Sequence, residues 1–240
     1  MTAMARRSSS DVATLQQQIN GGGVITIFSA NLLEEDQEAD QFYSGTIASY
    51  DRCAARYAAQ NDSIDEVKDL LTFFNERIPC TASLLDVGCG HGRDVEYLSS
   101  LGHIVCGVDR SEKLLHMARE RVPKSHFLEG DVRALPFKDR SFDGLWMNAV
   151  LHHLIPQHMP QSLAECHRVL KPSGLLFVSV HLDDSSGWQA KGPDFVRYYA
   201  RISGAMLTEL LQDAKLTPVR ITSRSAESRW LHCFARPHAN

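Results

Sequence analysis

Three glycines at alternate positions follow an apolar run that carries an acid near its end. The run is Ser83–Val87, its acid is Asp86, and the glycines are Gly88, Gly90 and Gly92. Such a run followed by a glycine turn predicts a buried parallel strand that leads into a helix. Because glycine has no Cβ, a ligand can lie directly against the turn, and the helix start presents unpaired N–H groups. The turn is therefore the first candidate binding site.

The glycine spacing indicates which ligand this turn holds. A dinucleotide fingerprint requires Gly-x-Gly-x-x-Gly, and its third glycine would fall at position 93, which is Arg93. With its preceding acid, the segment is Asp-x-Gly-x-Gly-x-Gly. It resembles the class I methyltransferases that use S-adenosylmethionine, in which this turn wraps the methionine end of the cofactor. The resemblance implies cofactor contacts from Asp86, Gly88, Cys89, Gly90 and Gly92.

A second apolar run ends in Asp109, about 20 residues beyond the turn, where an acid can reach ribose hydroxyls. The alternative is that Asp109 caps the predicted helix Ser111–Arg121. Ser111 already offers a cap there, so we favour the ribose role for Asp109. The neighbouring Arg110 is expected at the same cofactor site.

Further strand ends strengthen the resemblance, which covers about residues 50–236. After the strand that precedes Gly130, the resemblance implies that Asp131 takes the adenine amino group and that Val132 lies on the ring. The segment 141–154 is similar to the family's fourth strand and following loop, where we expect Asn148 and Ala149 to contact the cofactor. Residues 168–180 add a helix end, a Pro/Gly turn and a fifth strand.

The fold class predicted from these elements is α/β. It is a Rossmann-like, doubly wound sheet of seven strands with an antiparallel last strand and helices on both faces. Apolar residues at helical spacing over 64–78 predict an amphipathic helix on the sheet. We expect a helix over 203–215, two final strands at 217–223 and 229–236, and an irregular, lid-like loop over 181–200.

The chain is expected to divide into residues 1–48, a partly flexible N-terminal extension and possible lid, and residues 49–240, the methyltransferase domain. Tyr50 and Tyr57 follow the boundary. The resemblance implies that they fold over the cofactor, where a ring face could contact the sulfonium. They could equally pack on the following helix, and the sequence leaves both interpretations open.

Histidines are the candidate general bases, because their side chains titrate near neutral pH. His153 and His152 follow the fourth predicted strand, and the resemblance favours His153. His181, at the end of the fifth strand, is the next candidate. Asp183 and Asp184 give a slight indication of a metal site, but a solvated loop is favoured and no metal is expected.

Composition places the chain among globular proteins. It has 240 residues, 43% hydrophobic and 22% charged, with a net charge of −4 that gives no general attraction to nucleic acid or anionic membranes. The six cysteines are scattered without a Cys-x-x-Cys pair, so reduced thiols and a cytoplasmic location are expected. No signal peptide or membrane span is predicted, and the protein is expected to be a monomer or homodimer.

The predicted function is transfer of a methyl group from S-adenosylmethionine to an O or N atom of a small biosynthetic acceptor, leaving S-adenosylhomocysteine. The alternative is a tRNA methyltransferase, since Asp109–Ser111, Val150–Leu154 and Arg197–Tyr199 also resemble the wobble-uridine enzymes. Net acidity and the lack of an RNA-binding module count against it, and no nucleic acid partner is expected. A nicotinamide oxidoreductase is disfavoured by Arg93, and a non-catalytic scaffold by the intact motifs.

Overall fold

The computed structural model describes residues 14–18, 24–28, 37–182, 185–192, 194–223 and 228–238. Strands β1 (Thr14–Gln18) and β2 (Val24–Phe28) pair as an antiparallel hairpin. The predicted extension falls mostly outside these ranges, as do Asp183 and Asp184. The division at residue 48 stays a prediction.

A seven-stranded mixed sheet forms the centre of the fold. Its order is β10-β11-β7-β6-β3-β4-β5, and β11 alone runs in the direction opposite to the other six strands. This confirms the predicted Rossmann-like sheet with an antiparallel last strand. The strands are β3 (Ser83–Val87), β4 (Ile104–Asp109), β5 (His126–Glu129), β6 (Phe142–Asn148), β7 (Leu170–His181), β10 (Leu216–Thr222) and β11 (Trp230–Pro237).

The central strands are buried on both faces, as parallel strands between helical layers must be. Alternate residues face opposite sides, so Leu84 and Trp146 belong to one apolar cluster and Leu85 and Met147 to the other. The near-continuous apolar runs in the sequence are explained by this double burial. Because β3 to β7 are parallel to one another, their carboxyl ends lie along one edge of the sheet.

Within the described ranges, six α-helices cover the sheet or its edge. They are α1 (Gln37–Gln60), α2 (Lys68–Asn75), α3 (Arg93–Ser100), α4 (Glu112–Arg121), α5 (Met159–Val169) and α6 (Gly204–Asp213), with 3-10 turns at Leu151–His153 and Pro156–His158. The predicted amphipathic helix is α2, which buries Leu71 and Phe74 completely. In the described part of the chain, none of the helices has the length and apolarity that crossing a membrane requires.

The expectation of an irregular segment over 181–200 was wrong. Strands β8 (Gly187–Ala190) and β9 (Val196–Tyr199) form an antiparallel hairpin there. The outer edge of β9 lies on α1, where Ser49 Oγ accepts a hydrogen bond from the Val196 N–H (2.8 Å) and Thr46 Oγ1 from the Tyr198 N–H (3.1 Å). The strand is satisfied by a helix about 150 positions away, which local sequence does not indicate.

Candidate active site

Two adjoining cavities open at the carboxyl edge of the parallel strands. The smaller, of about 140 Å³, lies over the ends of β3 and β4, and the larger, of about 510 Å³, extends toward the β8–β9 hairpin. Ligands of open α/β sheets bind at this edge. Residues that line both cavities are Tyr50, Tyr57, Gly88, Gly90, Asn148, Ala149 and His153.

The glycine turn after β3 lies between these cavities. Gly88 has a φ of 74°, and a Cβ there would be 2.2 Å from a methyl of Val150. Gly90 has a φ of 53°, and its Cβ would meet only the Tyr57 ring, at 3.9 Å. Gly90 is therefore the glycine whose missing side chain leaves space for a ligand, while Gly88 is required by packing.

Gly92, the third glycine, is not among the residues that line either cavity. It precedes α3 with a φ of 82°, and a Cβ there would lie 3.0 Å from that of Ala118 on α4. The close approach of α3 and α4, together with the positive φ, explains why position 92 is a glycine. The cofactor contact expected for Gly92 stays a prediction.

Asp109 holds the turn to the end of β4. Its Oδ2 accepts a hydrogen bond from the Gly90 N–H (2.9 Å) and its Oδ1 from the Ser111 N–H (2.8 Å). Ser111 itself caps α4, because its Oγ accepts from the Leu114 N–H (3.2 Å). Burial raises the pKa of Asp109, and the backbone hydrogen bonds oppose that shift. Asp109 thus lines the smaller cavity with acceptor capacity left on each oxygen.

Asp131 also lines the smaller cavity, and two arginines hold its carboxylate. Arg133 Nη2 donates at 2.7 Å and Arg110 Nη1 at 2.8 Å. Burial alone would raise the pKa of Asp131, but the Arg133 hydrogen bonds and the Arg110 charge lower it. Sequence reasoning missed Arg133, which is completely buried; its only local signal is its place two residues after Asp131. The adenine role of Asp131 stays a prediction, and Val132 lines the same cavity.

Two aspartates and an arginine border the larger cavity beside the glycine turn. Asp94 accepts hydrogen bonds from Arg93 Nε (2.7 Å) and from the indole N–H of Trp146 (2.8 Å). Burial and the neighbouring Asp94 raise the pKa of Asp86 well above its usual value. Asp86, Arg93 and Asp94 line the cavity together with Cys89. These side chains offer both hydrogen-bond donors and acceptors to a ligand, as the ammonium and carboxylate of an amino acid require.

The end of β6 is fixed by Ser179 of the neighbouring strand. The Ser179 hydroxyl donates to Asn148 Oδ1 (2.6 Å) and accepts from the Ala149 N–H (2.9 Å). Ala149 has a φ of 63°, a left-handed conformation that a non-glycine residue adopts at a cost. Strain held at a cavity wall is consistent with a binding role for these two residues.

Tyr50 and His153 meet at the boundary between the cavities. His153 Nδ1 lies 2.7 Å from the Tyr198 carbonyl oxygen, which can only accept, so Nδ1 carries the proton. His153 Nε2 therefore accepts the hydrogen bond from the Tyr50 hydroxyl (3.0 Å), and that oxygen accepts one from Arg197 Nη1 (2.8 Å). Burial lowers the pKa of His153 to about 4. The histidine is neutral near pH 7.

Tyr57 completes this wall, with its ring centroid 5.1 Å from that of Tyr50 and 6.2 Å from that of Phe195. Burial raises the pKa of Tyr50, so its hydroxyl stays protonated. Both tyrosines line both cavities, where the proposed lid would lie. Their contact with a cofactor stays a prediction.

The other two candidate general bases, His152 and His181, lie at different distances from the cavities. His152 is buried, lines the larger cavity and accepts the His181 N–H at its Nδ1 (3.2 Å). Burial and the neighbouring His153 lower the pKa of His152 well below its usual value. His181 lies behind His152, with ring centroids 6.4 Å apart, and is not among the lining residues of either cavity. Its catalytic role stays a prediction.

Comparison with known proteins identifies the class that this sheet and glycine turn define. Residues 85–178 match a family model described as a methyltransferase domain. An uncharacterised methyltransferase of Synechocystis is 34% identical over 134 residues, or 56% of this chain and 63% of the relative. A malonyl-[acyl-carrier protein] O-methyltransferase of Erwinia pyrifoliae is 38% identical over 114 residues, or 45% of this chain and 43% of the relative. The chain thus spans about half of the length of these curated relatives.

A solved structure is similar over nearly the whole chain. It is the 1,6-didemethyltoxoflavin-N1-methyltransferase of Burkholderia thailandensis, with bound 1,6-didemethyltoxoflavin and S-adenosylhomocysteine. It is 26% identical with a TM-score of 0.68, and the match covers 93% of this chain and 99% of the other. The chain therefore contains a methyltransferase domain of the class I, S-adenosylmethionine-dependent type, as the sequence predicted.

Proposed function

We propose that the protein transfers a methyl group from S-adenosylmethionine to an O or N atom of a small-molecule acceptor. The cofactor's adenosine would occupy the smaller cavity, and its methionine end and the acceptor would occupy the larger one. The observation that carries this proposal is the shared wall at Gly90, Tyr50 and His153, where the two cavities meet. Two ligands bound on either side would face each other there.

The residues present fit this cofactor. Gly90 leaves open space against the turn, and Asp109 keeps acceptor sites for vicinal hydroxyls. Asp86 offers carboxyl oxygens to the ammonium of the methionine end, and Arg93, which is paired with Asp94, offers N–H donors to its carboxylate. When bound, S-adenosylmethionine supplies a methyl group that its positive sulfur has already activated.

The chain's own task is then mainly alignment of the acceptor. Holding two reactants in the correct geometry can supply about 7–11 kcal/mol of the barrier. A proton that leaves the acceptor near Tyr50 has a path inward: the Tyr50 hydroxyl takes it and passes its own proton to His153 Nε2, 3.0 Å away. With a pKa of about 4, His153 is a weak base, which favours acceptors that lose their proton easily.

The alternative of a tRNA wobble-uridine methyltransferase stays a prediction. Two residues that carry its resemblance, Arg197 and Tyr199, have their side chains along the larger cavity, and Tyr199 is buried. Side chains directed into a cavity support a small acceptor more than an extended RNA surface.

Calorimetric titration with S-adenosylhomocysteine, beside NADH, tests the cofactor. We expect micromolar binding of S-adenosylhomocysteine and none of NADH. Asp109→Ala should weaken that binding by roughly 10- to 100-fold, since it removes hydrogen bonds to a charged acceptor. Asp51→Asn is the matched control, because Asp51 bonds Ser111 from outside both cavities. Binding of NADH, or unchanged affinity in Asp109→Ala, would contradict the assignment.

A further inference from the structure

Arg197 is a half-buried cation that lines the larger cavity. Its Nη1 donates to the Tyr50 hydroxyl (2.8 Å), and its guanidinium lies 4.2 Å from the Phe195 ring centroid and 5.3 Å from that of Tyr199. Its Nε is buried without a hydrogen-bond partner among the described residues. Within the same residues, no carboxylate forms an ion pair with it.

Other inward-facing arginines of this protein are paired. Arg93 is bound to Asp94 at 2.7 Å, and Arg133 to Asp131 at 2.7 Å. Removing a charge from water is costly unless a partner compensates it. The rings around Arg197 offset part of that cost through cation–π contacts, but they do not neutralise the charge. The Arg197 guanidinium lies beside a cavity without an anionic partner among the described residues, which indicates that a ligand supplies the anion.

The surroundings of Arg197 define the rest of that ligand. Lys191, at the exposed rim, places a second cation over the Tyr199 ring at 5.2 Å. The aromatic side chains of Phe195, Tyr199 and Trp230 line the same cavity. Flat apolar walls favour a planar ligand, and a guanidinium fork matches a carboxylate.

We propose that the larger cavity takes a planar aromatic acceptor that carries a carboxylate, and that Arg197 pairs with that carboxylate. This inference rests on the proposed methyltransferase function and adds the substrate class. Lys191 strengthens the positive end of the cavity. The acidic residues Asp86 and Asp94 lie beside the glycine turn and are left for the cofactor.

Two probes of the same shape, one anionic and one neutral, test this inference. The protein is saturated with S-adenosylhomocysteine and titrated with 2-naphthoate or with 2-naphthamide. We expect the carboxylate to bind roughly 10- to 100-fold more tightly than the amide, as for a charge-assisted pair. Arg197→Met should abolish the preference. Arg201→Gln, an exposed arginine near the same hairpin and outside both cavities, should keep it.

The outcomes separate the two proposals. Failure of the wild-type protein to bind S-adenosylhomocysteine overturns the proposed function itself. Normal S-adenosylhomocysteine binding without a preference for 2-naphthoate, or with a preference that survives Arg197→Met, overturns the inference alone. If Arg197→Met does not fold, Arg197→Gln decides: it removes the charge but keeps a polar side chain of similar length, so the preference should be lost, and a preference that survives refutes the role of Arg197.

Discussion

At the residue scale, the turn after β3 shows that identical residues meet different requirements. Gly88 avoids Val150, Gly92 avoids α4, and Gly90 faces open cavity beside Tyr57. A sequence motif presents all three as one signal. The structure separates one glycine that faces open cavity from two glycines that are required by packing, and mutation can test whether only the first contacts a ligand.

Gly90→Ala should reduce affinity for S-adenosylhomocysteine while leaving the protein folded. The added methyl projects into the space between the turn and Tyr57, and the positive φ costs about 1–2 kcal/mol of stability. Gly102→Ala is the control, because Gly102 has a φ of 90° with nothing within 4 Å of its Cβ and lies outside both cavities. Titration and thermal melts of both variants should show similar destabilisation but weaker binding only for Gly90→Ala. Equal affinities would place the ligand elsewhere.

Residue roles were predictable where the signal is local. Ser111 lies at a helix start, and the structure confirms its cap on α4. Arg133 and Arg197 were not assigned to the site, because Arg133 acts through Asp131 at the smaller cavity and the Tyr50 hydroxyl that Arg197 contacts comes from α1. An arginine's sequence neighbours do not show whether it is paired, exposed or buried against a ligand site.

At the scale of elements, the parallel strands were the easiest to predict, since burial on both faces leaves continuous apolar runs such as 145–147 and 175–178. The β8–β9 hairpin was missed for the opposite reason. Its strands have four residues each, and the hydroxyls that satisfy β9 belong to α1. This hairpin carries Arg197, Tyr198 and Tyr199, so the least predictable element forms the wall of the larger cavity.

The double variant Thr46→Val/Ser49→Ala should loosen the hairpin without disturbing the glycine turn. It leaves the N–H groups of Val196 and Tyr198 without their hydroxyl acceptors, at a cost of about 1–3 kcal/mol each. Hydrogen exchange should become faster across 187–199, with affinity for S-adenosylhomocysteine close to wild type.

Thr72→Val provides the comparison for that variant, because the Thr72 hydroxyl bonds only within α2. It should leave exchange in the hairpin unchanged. If the double variant also exchanges at the wild-type rate over 187–199, the hairpin does not depend on α1 for its position.

At the scale of the whole molecule, the fold keeps several histidines neutral. Burial lowers the pKa of His153 to about 4 and that of His91 to about 4, and it also lowers the pKa of His152 well below its usual value. In the unfolded chain each would titrate near about 6.5. Acid therefore favours the unfolded state, which takes up these protons first. Buried Asp86 and Asp109, whose pKa values are raised, act in the opposite direction.

Replacing one histidine isolates its share of this pH dependence. Above about pH 6.5 His153 is neutral in both the folded and the unfolded state, so it adds nothing to the pH dependence of stability. Between about pH 6.5 and pH 4 it is protonated only in the unfolded chain. In that range the free energy of unfolding falls by about 1.4 kcal/mol for each pH unit that the pH is lowered. His153→Gln should remove that pH dependence.

Urea unfolding measured from about pH 7 to about pH 4.5 should thus show a shallower decline in stability for His153→Gln than for wild type. His116→Gln, at an exposed position on α4, should follow the wild-type curve. Parallel curves for His153→Gln and wild type would show that His153 takes up its proton at the same pH in the folded and unfolded protein, which would contradict a pKa lowered by burial.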